Sequence, residues 1–265
     1  MRVGMLQVYN EVNWVGYQID QAVRMCDKLI IVEGSQFAAF DDVPARSTDG
    51  TLDIINDKLK EYSDKVVLEY TIRENKNYRQ NQCANFNKVV SMCTNGDHFI
   101  YFDADEFFTE GFIEEANALM KEGKVDFLDT EQYVFAFSFN WLINIQPAGR
   151  HGRHVFYKVT DELKFAPTHR PLNIGPNKIV KNTKDIFHYT WVRPTSRVRT
   201  RMKTSGFVPG MLEWFNKYWD NIELVENKPQ PSHLGTTFTL TRYDGEHPPI
   251  LDNHPWRHVE DVRRV

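Results

Sequence analysis

The segment HFIYFDADEFF, residues 98–108, ends an apolar and aromatic run with three carboxylates, Asp103, Asp105 and Glu106. Carboxylates crowded beside a buried strand repel one another unless positive charge lies between them. In a strand, residues i and i+2 point the same way, so Asp103 and Asp105 are expected to send both side chains into one crevice at the sheet edge. In open α/β sheets the carboxyl edge is where ligands bind. With no cysteine near them, the pair offers hard oxygen ligands suited to Mg2+ or Mn2+ rather than zinc. Such an ion keeps positions open for water and substrate phosphates, so the chemistry on offer is a metal–diphosphate site. The competing reading is an acidic turn that caps a helix, because Thr109, Glu110 and Phe112 look like a helix start.

Three rival motifs fail on particular residues. An EF-hand loop from Asp103 finds a glutamate at Glu114, but Phe107 and Phe108 stand where an oxygen ligand and a glycine are required. A haloacid-dehalogenase-type phosphatase wants Thr or Val where Phe107 stands. After the first strand the chain reads YNEVNW, which is neither G-x-G-x-x-G nor a P-loop. Later in the chain, VRPTSRVRTRMK (192–203) collects Arg193, Arg197, Arg199, Arg201 and Lys203. Arginine forks match phosphate geometry, so this segment either folds over a diphosphate, meets a polyanionic acceptor or forms a solvated face. The Gly-, Arg- and His-rich GRHGRH (149–154) reads as a phosphate or acceptor contact, or as an exposed turn.

The elements that must position these groups alternate in the first half. Strands are expected at 3–9, 28–32, 65–70 and 98–102, and helical spacing marks 12–26, 52–62 and 83–93. Such alternation predicts a mostly parallel sheet covered on both faces. In the second half, Tyr133, Phe135, Phe137, Phe139 and Trp141 recur at period two and predict one long half-buried strand over 131–141. Further strands are expected at 154–159 and 185–192, and an aromatic helix at 210–222. The tail from 227 holds five of the twelve prolines and is expected to wrap the surface as extended chain.

A chain of 265 residues suits one large domain or a domain with an appendage, and 41% apolar content with 13% aromatic fits a globular protein. A net charge of -4 argues against nucleic-acid binding over the whole surface. MRVGMLQVYN is too short and polar for a signal-peptide core, and no apolar run approaches the ~20 residues of a membrane span. Three cysteines without metal-ligand spacing suggest reduced thiols, so the expectation is a cytoplasmic protein.

VYNEVNW (8–14), LIIVEGSQ (29–36), NYRQNQCANFNKVV (77–90) and YFDADEFF (101–108), in that order, resemble a glycosyltransferase of the GT-A fold, similar to family 2. IVEGSQF with DADE also resembles the family-17 N-acetylglucosaminyltransferases. The resemblance implies an α/β GT-A fold with a mostly parallel central sheet and a mixed C-terminal portion. It implies a catalytic domain over 1–204, with a nucleotide-sugar half at 1–110 and an acceptor half at 111–204, and residues 205–265 as a helix and tail packed on it. The donor would be a UDP- or GDP-sugar, held by Asn10, Glu11, Glu33, Arg79, Asp103, Ala104, Asp105 and Arg193. The metal, Mn2+ or Mg2+, would be held by Asp103, Asp105 and His188. For an inverting transfer the base would be Glu131, Asp129 or His169. The acceptor is open: a glycan, a lipid-linked sugar, a protein or a modified nucleic acid. The remaining alternatives are a phosphatase or nucleotidyltransferase using the same carboxylates, and a non-catalytic nucleotide-sugar or nucleic-acid binding module.

Overall fold

A computed structural model of the chain describes residues 1–36, 43–75, 77–146, 152–166, 171–204, 211–232 and 236–265. The first half runs β1 (Arg2–Val8), α1 (Val15–Met25), β2 (Lys28–Glu33), α2 (Thr51–Glu61), β3 (Val66–Tyr70), α3 (Tyr78–Val90) and β4 (His98–Asp103). A turn leads to β5 (Glu106–Phe108) and α4 (Glu110–Glu122). Then come β6 (Phe127–Ala136), β7 (Trp141–Gln146), β8 (Gly152–Lys158), β9 (Lys164–Phe165), β10 (Pro171–Leu172) and β11 (Lys178–Trp191). The chain closes with α5 (Thr195–Thr204), α6 (Met211–Tyr218), β12 (Gln230–Pro231) and β13 (Thr237–Arg242).

Strands β3, β2, β1 and β4 lie side by side and parallel, as the alternation predicts. β8 continues the sheet antiparallel to β4 and to β6, and β6 leads through β7 and β13 to β12. The fold is therefore α/β, with a parallel half and a mixed C-terminal half. Because strand side chains alternate, the parallel half buries apolar residues on both faces. Leu6, Ile31 and Phe102 face Val15, Ile19 and Ala22 of α1. Val3, Met5, Ile30 and Phe99 face Phe86 and Val89 of α3. Thr109 does cap α4, its Oγ1 accepting from the Phe112 amide at 3.2 Å, so the helix-start reading holds for the residues just beyond the acidic group.

Four expectations for the second half change. The long strand expected over 131–141 stops at Ala136, because Phe137 turns with φ +68°. The Ser138 amide donates to the Ala136 carbonyl at 2.8 Å, closing a γ-turn, a geometry that costs energy for a bulky residue. The turn is fixed from outside: the Phe137 amide donates to the Trp191 carbonyl, its own carbonyl accepts from Val262, and the Arg263 guanidinium covers its ring. The strand expected at 185–192 starts earlier, at Lys178, and pairs parallel with β6 and antiparallel with β5. The arginine segment forms α5, which buries Val198 and Met202, four residues apart. The tail contributes β13, whose TFTLTR alternation pairs antiparallel with β7. Val198, Met202, Met211, Phe215, Trp219 and Leu240 pack with Phe137 and Trp141 in one apolar cluster.

Beneath α1, Trp14 stacks on His254 at 4.2 Å and on Tyr189 at 5.2 Å between ring centroids. Tyr189 Oη and His247 Nδ1 are 2.6 Å apart. Burial pushes the His247 pKa down to about 3, with Arg257 adding to the effect. Burial likewise lowers His254 to about 4, against the Asn13 carbonyl and with the Arg193 charge. Below the ordinary value of 6.5 the unfolded chain binds protons that the folded chain refuses, so stability falls as pH falls. The melting temperature is expected to drop from pH 6.5 toward about 4, and His247→Gln is expected to flatten the slope. Parallel pH profiles for wild type and variant in thermal melts would remove the histidine as the cause.

Candidate active site

The carboxyl ends of β1, β2 and β4 open onto one edge of the sheet. After β1 the chain turns at Asn10, whose φ of +56° lies in the left-handed region that asparagine tolerates better than most residues. A loop then folds across this turn. Asn10 donates its amide to Ser47 Oγ at 2.8 Å and accepts from the Thr48 amide at 2.9 Å, and the Glu11 amide donates to Thr51 Oγ1 at 2.7 Å. Glu33, at the end of β2, accepts from the Ser47 amide at 2.7 Å. The loop approaches so closely that a Cβ on Gly34, at φ +124°, would lie 2.6 Å from the Ala45 carbonyl oxygen.

Between these ends lies a cavity of about 210 Å³, lined among others by Gln7, Tyr78, Tyr101, Asp103, Asp105 and Arg201. Pockets that enclose a whole drug-sized ligand run to ~300–1,000 Å³, so this cavity is smaller than that and opens into the groove beside it. β4 ends at Asp103, and Asp105 lies in the turn beyond it, so the turn rather than strand alternation brings both carboxylates to the cavity.

Arginines supply the positive charge that the acidic cluster requires. Arg153 of β8 donates Nε to Glu106 at 2.6 Å and Nη2 to Asp103 at 3.1 Å, and its guanidinium lies 4.5 Å from the centre of the Tyr101 ring. The Tyr101 hydroxyl donates to the other Asp103 oxygen. Arg193 bridges Glu11 at 2.7 Å and Asp105 at 2.8 Å, while its Nη1 donates to the carbonyls of Tyr189 and Thr190. Arg201 of α5 reaches Asp105 at 3.1 Å, and Arg197 pairs with Asp49. Burial alone would raise the Asp105 pKa, but Arg193, His188 and Arg201 together hold it well below the usual carboxylate range. For Glu11 burial dominates and raises the pKa, with Arg193 opposing and the Asp105 charge adding. Glu106 is raised in the same way by burial, against Arg153.

The structure brings Glu11, Asp103, Ala104 and Asp105 to the cavity, and Arg193 and Asn10 line the groove beside it with Arg197 and Arg201. Other expected residues sit elsewhere. Glu33 is wholly buried under the loop and is not among the cavity-lining residues. Arg79 is exposed on the first turn of α3, its guanidinium 5.6 Å from the centre of the Tyr78 ring. Asp129 and Glu131 flank Thr130, the register partner of Arg153, so strand alternation turns both away from the face on which Arg153 meets the carboxylates. His169 lies outside the described residues. Residues that the sequence reading did not single out are Gln7, Tyr78 and Tyr101; Arg153 and Arg201 were visible only as members of basic segments.

His188, expected as a metal ligand, lies between two carboxylates. Its Nε2 lies 3.6 Å from Asp105 and its Nδ1 3.7 Å from Glu106, because β11 pairs His188 with Glu106 across β5. Burial would lower its pKa, but the carboxylate charges oppose that and the balance raises it. Among the described residues no three His, Cys, Asp or Glu side chains converge as a metal cage. Asp103, with 37% of its side chain exposed, still offers the cavity a hard oxygen. Mg2+ and Mn2+ bind well through one or two carboxylates together with substrate phosphates, so the donor set fits an ion that arrives with a diphosphate.

Arg193 is buried and spans two carboxylates. Removing one partner of such a group leaves uncompensated charge, so Arg193→Met is expected to cost about 3 kcal/mol in urea unfolding. A loss below about 0.5 kcal/mol would show that the bridge does not hold the two strand ends together.

The sequence profile of glycosyl transferase family 2 matches residues 43–183. No curated protein sequence matches the chain. Among solved structures, the chain is similar to TarS from S. aureus, with 11% identity over 81% of this chain and 42% of that one, at a TM-score of 0.42. Residues 1–349 of TarS in complex with UDP-GlcNAc align with 10% identity, 81% and 70% coverage and a TM-score of 0.45. Glucosyl-3-phosphoglycerate synthase from Mycobacterium tuberculosis, in complex with Mn2+, UDP and glucosyl-3-phosphoglycerate, aligns with 11% identity, 94% and 90% coverage and a TM-score of 0.39. The chain thus spans under half the length of the first of these proteins.

Proposed function

The chain belongs to glycosyl transferase family 2, and from that premise we propose that it transfers a sugar from a nucleoside-diphosphate sugar, of uridine or guanosine, to an acceptor hydroxyl. The observation that carries this reading is the cavity at the ends of β1 and β4, which joins two aspartates and an arginine to a wall of aromatic and amide side chains. A sugar leaving a nucleoside diphosphate develops negative charge on the diphosphate. Preorganised positive charge aimed at that group is typically a large catalytic term.

Arg201 and Arg193 supply that charge in this chain, with Arg197 beside them in the groove. Glu11 and Asp105 hold Arg193 in place, and its two carbonyl contacts fix the direction of the guanidinium. Asp103 faces the cavity and is the residue proposed to hold Mn2+ or Mg2+; the ion, when bound, neutralises charge on the leaving diphosphate. Inversion at the anomeric carbon needs a base within hydrogen-bond reach of the acceptor. Asp129 and Glu131, expected in that role, do not line the cavity, so the proposal extends to transfer and not to its stereochemistry. Among the described residues no helix is long and apolar enough to cross a membrane.

The test is release of UDP or GDP from a panel of nucleotide sugars in the presence of Mn2+. Wild type is expected to hydrolyse one donor slowly, and Asp103→Asn is expected to lower that rate at least about 100-fold. A wild-type protein that binds none of the donors in thermal-shift assays, or an Asp103→Asn variant with full activity, would overturn the reading.

A further inference from the structure

Gln7 lies on β1 level with Asp103 of β4 and Val32 of β2. Two and four residues earlier on the same face stand Met5 and Val3, both packed into the apolar layer under α3. On packing grounds the stripe calls for another apolar side chain. Gln7 is instead 8% exposed, and among the described residues neither its amide nitrogen nor its amide oxygen has a hydrogen-bond partner. A buried carboxamide with both ends unpaired lowers stability, and native chains rarely keep one without a reason. The same side chain lines the cavity.

The chemistry of the amide restricts what can satisfy it. Phosphate oxygens accept only, so a diphosphate would pair with the nitrogen and leave the oxygen unpaired. A ligand edge that presents an N–H beside a C=O satisfies both atoms at once. Uracil and guanine each carry such a lactam edge. The neighbouring lining residues fit a flat ring: Tyr78 and Gln82 come from α3 and Tyr101 from β4, whereas Arg201 enters from α5.

We propose that Gln7 reads the nucleobase of the donor, its carboxamide pairing with the lactam edge of uracil or guanine. This rests on the nucleotide-sugar reading of the site. Among the described residues no protein group pairs with the amide, and the bound base supplies partners for both of its ends. A polar side chain on a stripe otherwise given to Val3 and Met5 trades folding stability for base selectivity.

The experiment compares wild type, Gln7→Met and Gln7→Leu by calorimetric titration with UDP, GDP, ribose 5-phosphate and inorganic pyrophosphate, alongside thermal melts without ligand. Wild type is expected to prefer UDP or GDP, and that preference names the base. Both variants are expected to lose at least about tenfold in affinity for the preferred nucleotide. They are expected to bind ribose 5-phosphate and pyrophosphate within about twofold of wild type, and to melt at or above the wild-type temperature. Unchanged nucleotide affinity in the variants overturns the proposal, as does an equal loss for the two ligands that lack a base. Melting below wild type in both variants overturns it too, by assigning Gln7 a structural role. If wild type binds neither UDP nor GDP, the failure belongs to the nucleotide-sugar reading itself, and the Gln7 proposal falls with it.

Discussion

The geometry of this sheet edge depends on guanidinium groups placed between carboxylates that would otherwise repel. Asp103, Asp105, Glu106 and Glu11 crowd the ends of two adjacent strands, and three of the four are buried or nearly so. Arg193 and Arg153 each bridge two of them. Planar forks suit this task because each guanidinium serves two acceptors in fixed directions. His188 also lies between Asp105 and Glu106, whose charges raise its pKa. Ion pairs of this kind contribute little net stability compared with an apolar replacement, and their attested use is to specify one arrangement. Here that arrangement presents Asp103 and Arg201 to the cavity.

The parallel half was legible because its signals are local. Residues 1–110 keep helical and strand periods cleanly apart, and each expected strand formed within a residue or two of its place. The second half was harder for identifiable reasons. The period-two run through Phe137, Phe139 and Trp141 continues across a γ-turn, and periodicity carries no mark of a positive φ on a phenylalanine. The turn exists because Trp191, Val262 and Arg263, all distant in sequence, hold it. The charged segment hid α5, since Val198 and Met202 are a thin apolar stripe among arginines.

The same contrast applies to the site. Asp103 and Asp105 announced themselves as a spaced pair after an apolar run. Their partners could not, because an ion pair between residues 182 apart, as for Arg193 and Glu11, leaves no pattern in the chain. Glu33 shows the opposite difficulty: its place at a strand end suggested a ligand contact, but the loop after β2 uses its carboxylate to receive the Ser47 amide. Gln7 had a signal that went unread, a polar residue on the face of a strand otherwise given to Val3 and Met5.

The order in which the charges occur along the chain has its own consequence. All four carboxylates lie within the first 106 residues, while Arg153, Arg193 and Arg201 follow 47 or more positions after the acidic residues they meet. During synthesis the parallel sheet is complete in sequence well before its neutralising partners leave the ribosome. Segments later in the chain thus bring the counter-charge to a sheet edge whose carboxylates all come earlier.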